Sequence, residues 1–240
     1  LDDLGNLVTS EIVKSIIKSD FRLTYEEADE LIDLAPKEDL NLYILSELLK
    51  HRRNWRQNNG AIINLKNDSK IKIRDDKLEL SIIENSPSRL LIEEAMIIMG
   101  HIIANFCLSN KIPIPFRCQD KYNVPDFNKQ QNEVLNNLNI KKSLNKSYIS
   151  IKAKQHFSLG LDCYTQFTSP IRRYIDLLAH YQISSFIDGS SLINEHDMSD
   201  LIRKYLTNQS QAYNIMVEDK RYWQKVFIYL QEGKLIKALF

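Results

Sequence analysis

The stretch Phe167-Thr168-Ser169-Pro170-Ile171-Arg172-Arg173-Tyr174-Ile175-Asp176 constrains this chain more than any other. Ser169 can cap a helix, and Pro170 fits a first helical turn, where its missing N–H is no loss. Ile171, Tyr174, Ile175, Leu178 and Ala179 then recur at helical spacing. The pattern predicts a helix over residues 170–187 that buries this face and stops at Asp188-Gly189. Its first turn would carry Arg172 and Arg173, although cations there oppose the helix dipole. An anion resolves the conflict, because free N–H groups, the Thr168 and Ser169 hydroxyls and two guanidinium forks together make a phosphate cradle. A capped surface helix with two solvated arginines is the plainer reading, and charge placement alone leaves both open.

At 240 residues the chain is long enough for a sizeable core. It could form one large domain or two small ones; no Pro/Gly/Ser-rich linker divides it, and one domain over residues 1–240 is the expectation. A net charge of +1 excludes a polycation, and any nucleic-acid contact must be concentrated in a groove. Cys107, Cys118 and Cys163 are odd in number and contain no CxxC pair. They support neither a disulfide framework nor a zinc site, and point to a reducing interior: the cytoplasm, or an organelle stroma or matrix. The longest apolar run, residues 95–108, is interrupted by Gly100, His101 and Asn105 and reads as too short for a bilayer. No membrane partner is expected. No signal peptide is visible, and the first residue is Leu, which suggests a piece of a longer chain.

Residues 7–18 are rich in β-branched side chains, and periodicity leaves strand and helix open. Thr24-Tyr25-Glu26-Glu27 is a capping box that opens a short helix to about residue 34. A longer helix is predicted over residues 37–58, with Leu40, Leu42, Ile44, Leu45, Leu48 and Leu49 inward. Its basic end, His51-Arg52-Arg53-Asn54-Trp55-Arg56, either compensates the dipole or touches a nucleic-acid backbone. Residues 60–81 alternate apolar and polar and predict three short antiparallel strands, with turns at Asn67-Asp68-Ser69 and Asp75-Asp76. A second strong helix is predicted over 90–108, with Leu91, Ala95, Ile98 and Ile102 as its stripe and Glu93 and Glu94 in its first turn. Then come an extended Pro113–Gln119 segment, a polar helix over 129–138, an approach strand over 148–157 and a long helix over 198–230.

His156-Phe157-Ser158-Leu159-Gly160-Leu161, then Tyr164-Thr165-Gln166-Phe167-Thr168-Ser169-Pro170-Ile171-Arg172-Arg173-Tyr174-Ile175-Asp176-Leu177 and His180, resembles the signature of the ribonuclease II / ribonuclease R family. That signature marks the RNB catalytic domain. Arg22-Leu23-Thr24-Tyr25-Glu26-Glu27-Ala28, Leu91-Ile92-Glu93-Glu94-Ala95-Met96 and the Pro113-Ile114-Pro115-Phe116-Arg117 segment also resemble the family. Gln166 stands where the family pattern usually has His.

The resemblance implies an α/β (α+β) fold, a mixed or antiparallel sheet surrounded by helices, with residues 7–18 as a strand. It implies a 3′→5′ exoribonuclease that hydrolyses single-stranded RNA to nucleoside monophosphates at Mg²⁺. Arg172 matches the family's arginine that acts on the phosphate near the 3′ end. Thr168, Ser169, Arg173, His156 and Glu94 are the accompanying candidates for RNA contact, with Arg173 also readable as a structural ion pair, Glu94 as a stabilising helix-start acid, His156 as a hydrogen-bonded core histidine and Asp176 as an orienting group. Tyr174 reads as core. Near the end, aligning on Arg221-Tyr222-Trp223 puts Met216 where the family carries a glutamate, and a shift by two would use Glu218. The family's magnesium ligands are a run of the form Asp-Asp-Ala that this chain does not contain; Asp2-Asp3 and Asp75-Asp76 read as solvated turns. No metal ligand is therefore expected here, and an upstream segment carrying the aspartates is the expected partner of a monomeric chain. A non-catalytic RNA-binding remnant of the same domain is the alternative.

Overall fold

The computed structural model describes residues 1–37, 40–63, 68–74, 77–83, 85–121, 139–140 and 142–233. Helix α1 (Tyr25–Leu34) starts at the capping box read from the sequence. Thr24 Oγ1 accepts from the Glu27 N–H at 3.2 Å, and Glu27 accepts from the Thr24 N–H at 2.7 Å. Helix α2 (Asn41–Asn58) begins four residues later than predicted and buries a different face. Leu49 is inward as expected, but Leu40, Ile44 and Leu45 are exposed, and Ser46, Arg52 and Arg56 are buried in their place. Polar burial on this face is what the leucine pattern could not show.

Strands β1 (Asp68–Arg74) and β2 (Lys77–Ile83) form one antiparallel hairpin, with Asp68 opposite Ile83 and Arg74 opposite Lys77. Two of the three predicted strands are thus seen among the described residues, and Asp68 and Ser69 pair in the ladder instead of turning; residues 64–67 lie outside the described residues. Asn67, Asp75 and Asp76 lie outside the described residues, as does the predicted helix over 129–138.

Helix α3 (Pro87–Ser109) follows the Ser86-Pro87 start signal, a turn earlier than predicted, so Glu93 and Glu94 are not in its first turn. By length and composition alone this helix, longer than the 95–108 run, is long enough and apolar enough to cross a membrane. Here it is a core helix, carrying buried Glu94 and His101 against arginines of α2. Strand β3 (Phe116–Cys118) pairs antiparallel with β4 (Tyr148–Ser150), and a 3-10 turn (Phe157–Leu159) follows. The predicted approach strand is thus three residues long. Helices α4 (Tyr174–Ile187) and α5 (Glu195–Tyr229) close the chain. The result is an α+β chain whose sheets are small and antiparallel.

Residues 7–18 take no strand pairing among the described residues. A strand needs a ladder partner for its N–H and C=O groups, and none is offered. Val8, Val13, Ile16 and Ile17 stay exposed, while Ile12 packs on the core and Lys14 pairs with Asp188.

The chain divides into two compact units, residues 1–65 with 85–202, and residues 66–84 with 203–240. In the first, one core joins Ile103, Ala104 and Cys107 of α3 to Ile112, Ile114, Phe116, Cys118 and Cys163, and to Ala179 and Ile183 of α4. Gln182 sits fully buried beside it and is satisfied, its amide donating to the Pro113 and Ile193 carbonyls and accepting from the Ile193 N–H. The second unit holds the hairpin and the end of α5.

Gly100 lets the signature segment touch α3. A Cβ there would overlap the Thr165 carbonyl oxygen and the Tyr164 ring. Gly100→Ala is expected to destabilise the chain by about 3 kcal/mol, read as a drop in urea midpoint with unchanged slope.

Candidate nucleic-acid interface

The signature segment is held from beneath by two buried arginines of α2. Arg56 donates through Nε to Glu94 at 2.9 Å and through a terminal nitrogen to the other Glu94 oxygen. Its remaining terminal nitrogen reaches the Leu159 carbonyl at 3.0 Å. Next to it, a Cβ on Gly160 (φ +64) would lie 2.7 Å from the Arg56 carbonyl oxygen, so only glycine lets this turn approach α2.

Arg52, one turn before Arg56, lies over the Trp55 ring at 3.8 Å and donates to the Gly5 carbonyl at 3.0 Å. It also meets His101 Nδ1 at 2.9 Å, and His101 Nε2 meets Asp162 at 2.8 Å. A guanidinium only donates, so Nδ1 accepts and the His101 proton sits on Nε2, donating to Asp162. Burial holds the His101 pKa below its ordinary value against the pull of Asp162. Neither reading of the basic helix end holds for Arg52 and Arg56: both are buried, in internal bonds. Their i,i+4 spacing with Leu49 three residues ahead on one face was the available sequence signal.

Above this layer, His156 is buried, its ring edge-on to Tyr164 at 5.6 Å. Burial first, and the Arg117 charge second, push His156 down to about 4. It is neutral at pH 7 and offers no charge to a phosphate. Its Nδ1 has no hydrogen-bond partner among the described residues, so it is a core histidine without the hydrogen bond expected there. Tyr164, unmarked by the sequence reading, is at the centre: burial raises its phenol pKa, and Arg173, Asp176, Arg117 and Arg56 all act on it electrostatically.

The signature turn itself differs from its predicted form. Helix α4 starts at Tyr174, and Ser169 does not cap it. Arg173 is extended (φ −124°, ψ 114°) and precedes the helix, so the two arginines are not in its first turn. The conflict with the helix dipole disappears, and buried Asp176 occupies the first turn instead. Asp176 Oδ2 accepts from the Ser169 N–H at 2.8 Å and from Arg173 at 2.6 Å. Arg173 also reaches the exposed Thr168 hydroxyl at 3.4 Å. Arg172 is exposed, and its guanidinium has no hydrogen bond or ion pair among the described residues. Tyr174 is 42% exposed, not core, because α4 turns Ile175, Leu178 and Ala179 inward.

Thr168, Ser169, Arg172 and Arg173 are thus gathered in one turn. Glu94 lies in the buried layer, its carboxylate engaged by Arg56. Glu218 is exposed on α5 in the second unit, and Met216 there is exposed too.

Among the described residues, one group could offer three metal ligands: His101, Asp162 and Cys163, whose donor atoms lie within 4.8 Å of one another. It does not fit magnesium, which takes oxygen donors. Burial pushes the Cys163 thiol up to about 12, and both ring nitrogens of His101 are engaged, Nδ1 by Arg52 and Nε2 by Asp162. No step is assigned to a metal on these residues.

A family model described as the RNB domain matches residues 1–189, and the chain belongs to the RNB domain family. An uncharacterised ribonuclease of Synechocystis is 32% identical over 95% of this chain and 35% of its own length. The chloroplastic/mitochondrial ribonuclease II of Arabidopsis thaliana is 30% identical over 98% of this chain and 31% of its own. The chain therefore spans about a third of these curated relatives. An active-site variant of the Dss1 exoribonuclease of Candida glabrata superposes with a TM-score of 0.76 at 22% identity, covering 89% of this chain and 30% of that one. Mycoplasma genitalium RNase R, solved with ribose-methylated single-stranded RNA, gives 0.69 at 20% identity, over 89% and 40%.

Two outcomes follow from this geometry. Glu94→Gln strands the Arg56 charge in the core and should cost roughly 3–5 kcal/mol in a denaturant titration. His156 titrates near 6.5 unfolded and about 4 folded, so protons bind the unfolded chain first. Its contribution is fully present above pH 6.5 and is lost as pH falls toward 4, by about 3 kcal/mol. His156→Gln should flatten that part of the stability–pH curve.

Proposed function

We propose that this chain is the RNA-holding part of an RNB-family 3′→5′ exoribonuclease that hydrolyses single-stranded RNA to nucleoside 5′-monophosphates. The observation that carries the reading is the signature turn: an exposed, internally unengaged Arg172 on a turn whose second arginine and buried aspartate neutralise each other. A planar guanidinium held this way binds phosphate oxygens through two parallel hydrogen bonds and stabilises charge that builds on them. Thr168 and Ser169 hydroxyls flank it. The names of the relatives, and the RNA-bound RNase R among the structural neighbours, support RNA as the polyanion.

On this reading magnesium belongs to the whole enzyme and is held by carboxylates outside the described residues. Three buried free cysteines support a reducing compartment, cytoplasm or organelle stroma or matrix. A non-catalytic RNA-binding remnant is the second reading. It is favoured by the sequence, which has no Asp-Asp-Ala run and carries Met216 where the family has a glutamate.

The test is binding of a labelled oligouridylate alongside magnesium-dependent monophosphate release, for wild type and Arg172→Ala. Wild type should bind with steep salt dependence. Arg172→Ala should bind roughly tenfold more weakly, with a log–log salt slope smaller by roughly 0.7. This chain alone should release no monophosphate. Release that Arg172→Ala lacks would show that carboxylates of this chain do hold the metal. Arg172→Ala binding as well as wild type would remove Arg172 from the interface.

A further inference from the structure

Asp176 touches the turn at both ends. At the entry its Oδ2 accepts from the Ser169 N–H, and at the exit the same oxygen accepts from the Arg173 guanidinium. Between them, the Ser169 carbonyl accepts from the N–H groups of Arg172 at 3.2 Å and Arg173 at 3.0 Å. Arg172 is thus an exposed member of a backbone loop that one carboxylate ties at both ends. Asp176 is fully buried and cannot meet a ligand itself. Its negative charge, which would repel a phosphate if it faced outward, is turned into the α4 N-terminus and onto Arg173.

We propose that Asp176 is the positioning residue for Arg172: its buried carboxylate sets the turn so that the Arg172 guanidinium is already held out to an RNA phosphate. This rests on the RNA-holding reading above. Preorganisation of this kind raises affinity because less freedom is lost on binding. Arg173 is then the internal counter-ion of the device, and Arg172 its working end.

The experiment is a double-mutant cycle on the full chain with a fluorescein-labelled oligouridylate as probe. Asp176→Asn keeps the shape and an acceptor for Ser169 but drops the charge that holds Arg173. It should weaken binding roughly tenfold and lower the salt slope by roughly 0.7, as Arg172→Ala does. In the Arg172→Ala background it should add nothing. A purely structural aspartate would weaken both backgrounds equally and leave the salt slope unchanged, and that result overturns the proposal. Should Asp176→Asn lose its helical circular dichroism, Asp176→Glu takes its place. It retains the charge one methylene further out, and additivity with Arg172→Ala overturns the proposal there too. A wild-type chain that binds no oligouridylate overturns the RNA-holding reading and this inference together; additivity with binding intact overturns this inference alone.

Discussion

The first unit depends on a buried ion pair. Arg56 on α2 and Glu94 on α3 are both almost fully out of solvent, joined by two hydrogen bonds, with the Leu159 carbonyl taking a third from the same guanidinium. Such a pair contributes little net stability, because desolvation offsets most of the attraction. What it does contribute is geometry. Either charge alone in that position would be costly, so α2, α3 and the 156–161 turn are held to the one arrangement that satisfies all three. Arg52 repeats the device one turn earlier, joining the N-terminal turn at Gly5 to His101 and Asp162.

That rigid layer explains how a chain of net charge +1 presents a focused cationic point. Arg52 and Arg56 face inward, Arg56 neutralised by Glu94 and Arg52 satisfied by its bonds to Gly5 and His101. Arg173 is cancelled by Asp176. Arg172 is left at the surface, on a turn that packs through Tyr164 and Thr165 against the bare backbone of Gly100. On the proposed reading, selectivity for a phosphate would come from the placement of one guanidinium and two hydroxyls, not from bulk charge.

Much of this was legible in the sequence where the signal is local. The Thr24–Glu27 capping box and the long α5 pattern each depend on neighbours within a few residues. The readings that failed were those in which a distant group competes. Ser169-Pro170 has the form of a helix start, but the Asp176 carboxylate takes the Ser169 N–H, residues 170–172 form a turn, and the helix begins only after the extended Arg173. The leucines of α2 suggested its inner face, yet Glu94, thirty-eight positions away, draws Arg56 there instead. Residues 7–18 have strand composition, but composition supplies no partner for their backbone groups.

The sequence by itself determined the family and the helix-rich α+β composition, because a long run of specific residues admits few alternatives, and it marked Arg172 as the candidate to test. Only the tertiary structure decided the roles within that run. Two adjacent arginines are chemically identical until the fold places a buried carboxylate against one of them. Two adjacent glutamates, Glu93 and Glu94, are likewise equivalent until α3 turns one toward Arg56. Charge type is written in the chain, whereas the desolvation and partner that give a charge its function exist only once distant segments have met.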